Sequence, residues 1–494
     1  MTSSHIVAID QGTSSSRAIL FNDQGQVKSV YQKELQLIYP NEGWVEQNPD
    51  DIIKDTIWAL NSIADEGGDV RASIAAIGIT NQRETVIVWD RKTGRPVYNA
   101  IVWQDRRTSD YCASLRCDGL EDDVRNRTGL FLDPYFSASK IRWILENVDG
   151  ARERADNGEL LFGTVDCYVL WHLTGGQVHA TDSTNVSRTM LYNIVEQEWD
   201  SYLFDLFDIP LSMAPNVLDN ISNFGQLRIG SKLDGITIFG MAGDQQSALI
   251  GQGGLHKGML KATYGTGCFA LVNTGVHPVF SNHKMLTTIG TSVDGVCSYA
   301  LEGSIFNAGT AVQFLRDNFS FFEQAKETDS MAMSVPDNGG VYFVPAFTGL
   351  GAPYWNPDAR GIITGLKRDT RKEHIVRAAL EAQAYQTQDL LDALVQDMGQ
   401  DITTLRVDGG LVANDFMCQF LADQLGMKIE VPEVTECTAW GAACLAGVGA
   451  GVFDTLEDAA QRWKSSKVYA PIKTRDEAGR LYDGWKMAVQ KTFS

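Results

Sequence analysis

Two short segments, one in each half of the chain, repeat the same arrangement of apolar residues, glycine and small hydroxyl residues. The first runs from Ile6 through Asp10-Gln-Gly-Thr-Ser-Ser-Ser-Arg17, and the second from Leu260 through Tyr264-Gly-Thr-Gly267; each continues into another apolar stretch. This pattern is typical of a β-hairpin with a Gly-Thr turn. Glycine lets the turn approach an anion closely, and consecutive amides with hydroxyl groups form a phosphate-sized nest. The repeat predicts a duplicated domain that holds a polyphosphate between its halves.

Composition and charge limit the kinds of molecule that the protein is expected to bind. The 494-residue chain has a formal net charge of −20, with 44% hydrophobic and 21% charged residues. These fractions are ordinary for a soluble globular protein, and the length predicts two or more domains. The negative charge argues against nucleic acid or an anionic membrane as partner, although an acidic proteome is the simpler explanation of the charge itself. It does not argue against ATP, which a local nest and a few cations can hold.

The sequence indicates a cytoplasmic protein. It shows no signal peptide and no apolar run of the roughly 18 residues that a membrane span needs. Its 8 cysteines include no Cys-x-x-Cys pair, and its 7 histidines are scattered. We therefore expect buried, reduced thiols and no structural zinc site.

Apolar periodicity predicts alternating strands and helices in both halves, which is typical of an α/β protein. In the first half we expect a helix over 50–64 opened by Asn48 and Pro49, a buried strand over 74–80, a strand over 235–239 and a helix over 247–251. The boundary between the halves is placed at 249–257.

In the second half, the pattern predicts a helix over 371–398 that begins with a capping box from Thr370 to Glu373 and ends at Gly399. A strand over 404–408 is followed by Gly409-Gly410, a turn that favours a phosphate or ribose. The small-residue stretch 438–451 is too short and too rich in glycine for a membrane span. It predicts a helix packed closely on another element.

Several stretches carry a family resemblance. They are Asp10-Gln-Gly-Thr-Ser-Ser-Ser-Arg17, Asn81-Gln-Arg-Glu84, Trp103-Gln-Asp-Arg-Arg107, Tyr135-Phe-Ser-Ala-Ser-Lys140 with Trp143, Gly243-Asp-Gln-Gln246, Tyr264-Gly-Thr-Gly267, Pro353-Tyr-Trp-Asn-Pro357, and Asp408-Gly-Gly410 with Asn414. In this order they resemble the FGGY family of carbohydrate kinases, and within it the members that phosphorylate glycerol. The resemblance covers essentially the whole chain.

The resemblance implies two ribonuclease H-like, actin-type domains with a nucleotide cleft between them. Residues 1–250 would form the domain with the polyol site and the first phosphate hairpin, and 251–494 the domain with the second hairpin and the adenosine site. The implied reaction is the ATP-dependent phosphorylation of glycerol to sn-glycerol 3-phosphate in glycerol catabolism. ATP and Mg²⁺ would be the cofactors, and the protein would form a homodimer or homotetramer.

The resemblance also assigns roles to residues. The implied ATP-binding residues are Thr13, Ser14, Ser15, Arg17, Thr266, Gly267, Gly309, Gln313, Gly410 and Asn414. Asp10 would orient Mg²⁺ through water, since Mg²⁺ keeps several waters; alternatively, its carboxylate caps a turn. Asp244 would be the general base that accepts the proton of the substrate hydroxyl, or the N-cap of the helix that follows.

For the polyol, the resemblance implies contacts to hydroxyls and to carbons. The residues are Arg83, Glu84, Tyr135, Asp244 and Gln245 for the hydroxyls, and Trp103 and Phe269 for the carbons. Taken alone, Arg83 and Glu84 are typical of a solvated charge pair, and the two aromatic residues of a core. Adjacent strand residues point to opposite faces, so Arg83 and Glu84 can reach one ligand only at a strand end or bulge.

Two other functions remain open. One is a related kinase that acts on a pentulose or on gluconate. The other is a non-catalytic actin-fold ATP switch, which shares the phosphate hairpins but needs no polyol pocket.

Some members of the family are inhibited by fructose 1,6-bisphosphate at a glycine-rich loop that carries an arginine. The corresponding stretch here is Gly230-Ser-Lys-Leu-Asp-Gly-Ile-Thr237, in which Lys232 stands alone and Asp234 adds a carboxylate. A single lysine gives no bidentate fork for a phosphate. We therefore expect this inhibition to be absent.

Overall fold

The structure is a computed structural model that describes residues 4–66, 70–356, 358–402 and 404–493. Residues 1–3 and Pro357, the last residue of the Pro353-Tyr-Trp-Asn-Pro357 motif, lie outside the described residues. Among the described residues, no helix is long and apolar enough to cross a membrane. All eight cysteines are free thiols, and seven of them are buried.

Strands and helices alternate through the first half, as the periodicity predicted. The strands are β1 (His5–Gln11), β2 (Ser15–Asn22), β3 (Val27–Glu34), β4 (Glu46–Gln47), β5 (Ile74–Asn81), β6 (Val86–Asp90), β7 (Ala100–Ile101), β8 (Leu160–Thr164), β9 (Ala180–Asp182), β10 (Tyr192–Asn193), β11 (Glu198–Trp199), β12 (Asn216–Leu218) and β13 (Ile238–Gly243). The helices are α1 (Pro49–Ala64), α2 (Val70–Ser73), α3 (Ser109–Cys117), α4 (Glu121–Thr128), α5 (Ser137–Asn147), α6 (Ala151–Asp156), α7 (Val165–Leu173), α8 (Ser183–Val186), α9 (Ser201–Leu206) and α10 (Asp244–Gly251).

The second half continues the alternation. Its strands are β14 (Leu260–Tyr264), β15 (Cys268–Gly275), β16 (Leu286–Val293), β17 (Val296–Ile305), β18 (Tyr342–Val344), β19 (Ile362–Thr364), β20 (Thr404–Asp408), β21 (Lys428–Pro432) and β22 (Ser465–Tyr469). Its helices are α11 (Gly309–Asp317), α12 (Glu327–Met333), α13 (Lys372–Met398), α14 (Asp415–Leu425), α15 (Cys437–Gly449), α16 (Leu456–Ala460) and α17 (Arg475–Gln490). Short 3₁₀ turns span Leu211–Met213 and Gly410–Ala413.

Two sheets repeat one topology. The first has the order β13-β5-β1-β2-β3, and the second has the order β16-β17-β15-β14-β20-β21-β22. In each, the central strand pairs antiparallel with the next strand in the chain and parallel with a later one. Both predicted phosphate hairpins are therefore present, as β1–β2 and β14–β15, and the duplication inferred from the sequence is confirmed.

Helix α15 joins the two halves. It comes from the second half of the chain but packs on β1, β5 and β13 of the first sheet and against α10. A side chain at Gly441 would overlap the backbone carbonyl of Ser247, and one at Gly78 would overlap that of Ala442. The close packing predicted for the small-residue stretch is confirmed, and glycine at these positions is what permits it.

The predicted boundary between β13 and α10 is wrong. The strand was expected over 235–239, but it runs to Gly243, and the helix begins at once with Asp244. The reason is pairing: Gly240 to Gly243 align in parallel with Gly78 to Asn81 of β5. Long-range pairing thus extends the strand through residues that are locally poor strand formers.

The predicted capping box of α13 is also wrong, although the helix and its end at Gly399 are confirmed. Arg371 is the N-cap, and Nδ1 of His374 accepts a hydrogen bond from the Arg371 amide at 3.0 Å. The Thr370 hydroxyl instead accepts from the Lys367 amide at 2.8 Å, which closes the preceding turn. Helix α1 begins as predicted, with the Asn48 side chain accepting from the Asp50 amide.

Candidate active site

The candidate site lies where the parallel strands of both sheets end. The segments that follow these ends are Gly12–Ser14 after β1, Gln82–Glu84 after β5, Asp244 after β13, Gly265–Gly267 after β14 and Gly409–Gly410 after β20. The carboxyl ends of parallel strands share one edge of a sheet, and ligands of α/β proteins bind beyond that edge. The fold therefore gathers the separate motifs of the sequence into one region.

Arg83 and Glu84 lie in a tight turn after β5. The Thr85 amide donates to the Arg83 carbonyl at 2.7 Å, and Glu84 between them has a φ of 60°. This left-handed conformation is unusual for a glutamate, and it breaks the alternation of a strand. Both side chains therefore point inward, with Arg83 Nε 3.9 Å from Glu84 Oε1. Both residues therefore lie just beyond the end of a strand, as they must if both are to reach one ligand. They do not form a solvated charge pair, because both are buried.

Arg83 and Glu84 form a closed ring of ion pairs with two further buried residues, Arg188 and Glu302, and we call these four residues the charge ring. Arg83 donates two hydrogen bonds to the Glu302 carboxylate, from Nη1 at 2.6 Å and from Nη2 at 3.2 Å. Arg188 donates from Nε to Glu84 at 2.6 Å and from Nη2 to Glu302 at 2.9 Å. Glu302 lies on β17, so the second sheet completes a cluster that begins in the first.

Ionisation within the charge ring follows from these contacts. Burial alone would oppose ionisation of Glu302, but Arg188 and Arg83 outweigh it and lower the pKa of Glu302 to about 2. For Glu84, burial raises the pKa, and Arg188 and Arg83 act against that effect. Glu302 is thus held as a carboxylate by two guanidinium groups.

Asp244 is the carboxylate of this region that faces the cleft. Its side chain is 32% exposed, whereas those of Arg83 and Glu302 are 2% and 0% exposed. Asp244 Oδ1 lies 3.1 Å from Arg83 Nε and accepts from the Gln245 amide at 2.7 Å. Burial raises the pKa of Asp244, while Arg83 and Lys261 oppose the rise. Asp244 is the first residue of α10 and Gly243 is its N-cap, so the proposed capping role belongs to Gly243.

Aromatic side chains bound the same space. The ring centroid of Trp103 lies 5.6 Å from that of Tyr135 and 6.4 Å from that of Phe269, both edge-on. All three residues are half-buried, and Tyr135 also packs against a hydrophobic core cluster. Burial raises the pKa of Tyr135, as does nearby Glu84, so its hydroxyl stays protonated and can donate. Trp103 Nε1 also donates to the Thr13 hydroxyl at 2.9 Å, which links this wall to the first phosphate turn.

A second set of buried polar residues positions these elements. The Asp182 carboxylate caps α8 and accepts from the Asn185 side chain at 2.6 Å. Asn185 exchanges two side-chain hydrogen bonds with Asn81, the last residue of β5. The Thr184 hydroxyl accepts from the amide of Gly243, the last residue of β13, at 2.9 Å. One short helix therefore holds the ends of β5 and β13, the two strands that Arg83, Glu84 and Asp244 follow.

At the first phosphate turn, Asp10 and Arg17 are paired across the β1–β2 hairpin. Arg17 also contacts Glu436, the N-cap of α15, at 2.8 Å. Burial raises the pKa of Asp10, and Arg17 opposes that rise. Between them, Ser14 is exposed and Thr13 and Ser15 are half-buried. The turn thus offers hydroxyls beside an aspartate and an arginine.

The start of α11 hydrogen-bonds to the second predicted phosphate turn, Gly265–Gly267, and stabilises it. The amide of Gly309 donates to the Gly265 carbonyl at 3.0 Å, and that of Ala308 donates to the Thr266 carbonyl at 3.0 Å. Thr266 is exposed and Gly267 is half-buried, while Gln313 is exposed one turn along α11. The structure brings Thr266, Gly267 and Gly309 together.

Gly410 and Asn414, the two residues predicted to hold adenosine, differ in their exposure and in their existing contacts. Gly410 is exposed, and among the described residues outside its own turn no atom lies within 4 Å of the position that a Cβ would take there. Asn414 is buried: its Oδ1 accepts from the Met417 amide at 2.8 Å and its Nδ2 donates to the Thr328 hydroxyl at 3.0 Å. Its side chain therefore caps α14, and a contact to adenosine remains a prediction.

Sequence reasoning missed three charged residues of the site: Arg188, Lys261 and Glu302. Lys261 is buried and donates to Gln245 Oε1 at 2.5 Å. Glu302 could have been found, because it is the one charged residue in the otherwise apolar or small run Tyr299-Ala-Leu-Glu-Gly-Ser-Ile305, and a charge in a buried strand needs a partner. Arg188 had no comparable signal.

Comparison with known proteins agrees with this geometry. Models of the N-terminal and C-terminal domains of the FGGY family of carbohydrate kinases match residues 5–251 and 260–450. The chain belongs to the FGGY family of carbohydrate kinases. The FGGY kinases similar to it include a glycerol kinase of Nitrosomonas eutropha, 58% identical over 98% of this chain and 97% of that protein. Glycerol kinase 1 of Pseudomonas aeruginosa is 52% identical over 100% of this chain and 99% of that protein.

A solved structure extends the likeness to three dimensions. The crystal structure of Plasmodium falciparum glycerol kinase with ADP aligns with a TM-score of 0.94 at 35% identity, covering 100% of this chain and 99% of that one. The two-domain, actin-like fold of FGGY kinases is therefore the fold of this protein, as the sequence implied.

Proposed function

We propose that this FGGY kinase transfers the γ-phosphoryl group of ATP to glycerol and forms sn-glycerol 3-phosphate. The observation that carries the proposal is Asp244: a half-buried carboxylate directly after β13, 3.1 Å from Arg83 Nε, in a region where aromatic rings also lie. Such a pocket suits a small molecule with several hydroxyls and a thin apolar edge. The glycerol kinases similar to this chain along its whole length support the same substrate.

The proposed chemistry needs placement and one proton acceptor. Arg83, Glu84, Tyr135 and Gln245 bind the hydroxyls, and Trp103 and Phe269 pack on the carbons. Asp244 accepts the proton of the reacting hydroxyl as that oxygen bonds to phosphorus and ADP leaves. Phosphoryl transfer passes through a loose transition state, so orientation and charge stabilisation account for most of the catalysis.

The phosphates would be held from both sheets. Thr13, Ser14, Ser15 and Arg17 bind them from the first turn, and Thr266 and Gly267 from the second. Gly309 and Gln313 line the cleft, and Gly410 with Asn414 holds the adenosine end. The oxygen donors near the first turn, above all the Asp10 carboxylate, are of the type that Mg²⁺ prefers, and Mg²⁺ would neutralise phosphate charge.

We place the domain division near residue 250, so that each domain contributes one phosphate hairpin and the two close on the ligands by a hinge. We also propose a cytoplasmic location and a homodimer or homotetramer. The localisation rests on the sequence alone, and the oligomeric state on the family resemblance.

A coupled ADP-release assay across a panel of acceptors tests the proposal. We expect turnover to depend on glycerol and to be far lower with a pentulose or with gluconate. Turnover that is highest with one of those acceptors would indicate the related kinase. ATP hydrolysis that is indifferent to every polyol would indicate an ATP switch instead.

A further inference from the structure

The charge ring leaves its guanidinium groups little capacity for an anionic ligand. Arg83 directs Nη1 and Nη2 to Glu302 and Nε towards Asp244. Arg188 directs Nε to Glu84 and Nη2 to Glu302. Its remaining nitrogen, Nη1, has no hydrogen-bond partner among the described residues, and its guanidinium carbon lies 5.4 Å from the centroid of the Phe136 ring.

The charges within the ring cancel. Two guanidinium groups face two carboxylates, and all four side chains are 2% exposed or less. Asp244 adds a further negative charge on the cleft side. A substrate carboxylate entering this space would meet arginines that already have carboxylate partners, and it would lie near Glu84 and Asp244. Like charges at short range disfavour the ionised form of a group or exclude it.

We propose that Glu302 determines specificity: it neutralises the two arginines of the charge ring, so that the pocket accepts an uncharged polyol and rejects an anionic molecule of the same size. The inference rests on the proposed function, because it concerns the substrate class of that same pocket. Glu302 acts through Arg83 and Arg188, since it is buried on β17 and accepts hydrogen bonds from both arginines.

The alternative is that Glu302 only holds the two sheets together. Loss of one partner from a buried ion pair destabilises a protein in either case, so a change in stability or in overall turnover does not distinguish the two roles. A change in the relative affinity for a neutral and an anionic ligand does distinguish them, because loss of a purely structural residue would weaken the binding of both ligands alike.

Glycerate provides the anionic probe, because it is glycerol with one CH₂OH group replaced by a carboxylate. We would measure glycerate as a competitive inhibitor of glycerol phosphorylation in the wild type and in Glu302→Gln, both checked for folding by circular dichroism. In Glu302→Gln we expect the inhibition constant for glycerate to fall roughly 10- to 100-fold relative to the KM for glycerol, as a freed guanidinium gains a charged hydrogen bond.

A matched control removes one cation with the carboxylate. In the double variant Glu302→Gln/Arg188→Gln, two carboxylates and two guanidiniums become one of each, so we expect most of the gain for glycerate to disappear. An unchanged ratio of glycerate to glycerol affinity in a folded Glu302→Gln enzyme would overturn the inference. Failure of the wild type to phosphorylate glycerol would overturn the proposed function instead, so the two failures are distinguishable.

If Glu302→Gln does not fold, the wild type still tests the selection against an anion that the inference requires. Glyceramide has nearly the size and shape of glycerate but no charge. We expect it to inhibit glycerol phosphorylation at least about tenfold more strongly than glycerate does. Equal inhibition by the two compounds would show that the pocket does not select against an anion.

Discussion

The Nε atom of Arg83 lies 3.1 Å from Oδ1 of Asp244, so the proposed polyol-binding arginine contacts the proposed general base. The two residues come from the ends of neighbouring parallel strands, β5 and β13. A hydroxyl that donates to Asp244 is therefore within reach of Arg83. The arginine also favours the ionised carboxylate, against the burial that raises the pKa of Asp244.

The first prediction concerns Asp244 itself. Asp244→Asn should lower kcat by roughly 10²- to 10⁴-fold, because the amide cannot accept the hydroxyl proton, whereas ATP affinity should change little. Coupled kinetics and calorimetric titration of ATP would measure the two quantities. Asp65→Asn is the control, since Asp65 is exposed and pairs with Lys232. Turnover close to the wild type in Asp244→Asn would place the base elsewhere.

The second prediction concerns pH. Burial raises the pKa of Asp244, so kcat/KM should fall with decreasing pH at a value above that of an ordinary aspartate, which is about 3.9. Lys261 opposes this rise, so Lys261→Met should move the acid limb to still higher pH. Lys232→Met, at an exposed lysine, should leave it in place. An acid limb that does not move in Lys261→Met would contradict this account.

The third prediction concerns the link between the aromatic wall and the first phosphate turn. Trp103→Phe removes the hydrogen bond from Nε1 to the Thr13 hydroxyl while keeping an aromatic ring. A hydrogen bond of this kind contributes about 0.5–1.5 kcal/mol, so KM for glycerol and for ATP should each rise roughly 2- to 10-fold. Thr13→Val breaks the same bond from the other side. In a double-mutant cycle the two effects should be clearly non-additive; simple additivity would show that the bond has no role.

The fourth prediction tests the packing of α15. Gly441→Ala should lower the free energy of unfolding by about 1–3 kcal/mol or more, because the added methyl overlaps the Ser247 carbonyl of α10. Gly479→Ala is the matched control: apart from the backbone of its own helix, no atom of the described residues lies within 4 Å of the Cβ position at this glycine of α17. That change should stabilise the protein by about 0.5–1 kcal/mol through helix propensity. Denaturant titration of both variants gives the comparison, and equal effects would refute it.

The fifth prediction concerns the loop 230–237. Lys232 is already paired with Asp65 at 2.5 Å, and the Asp234 carboxylate accepts from the amides of Ile229 and Gly230. The fold also brings Arg71 to this loop, where it donates to the Asp234 carbonyl at 2.9 Å, a contact that the sequence did not indicate. We still expect no inhibition by fructose 1,6-bisphosphate at saturating glycerol. Saturable inhibition that Lys232→Ala or Arg71→Ala abolishes would show that the loop does bind it.

Much of the fold was predictable because its signals are local. The two hairpins follow from apolar stretches separated by Gly-Thr turns, and α1 and the end of α13 follow from Asn48 and Gly399. The motif around Asp244 also predicted the region of the candidate site. By contrast, the start of α10 and the cap of α13 were misplaced, since pairing with β5 and the bond from His374 outweighed local preference.

The sequence by itself determined the duplicated hairpins, because turn chemistry and periodicity act over a few neighbouring residues. The resemblance of its motifs to the FGGY kinases indicated the family and the residues proposed for polyol and phosphate binding. Only the tertiary structure decided the partners of those residues. Glu302 reaches Arg83 from a strand of the other sheet, and Glu84 turns inward through a φ of 60°. Charges in a buried space must find partners wherever the fold places them, and that placement depends on the packing of the whole chain.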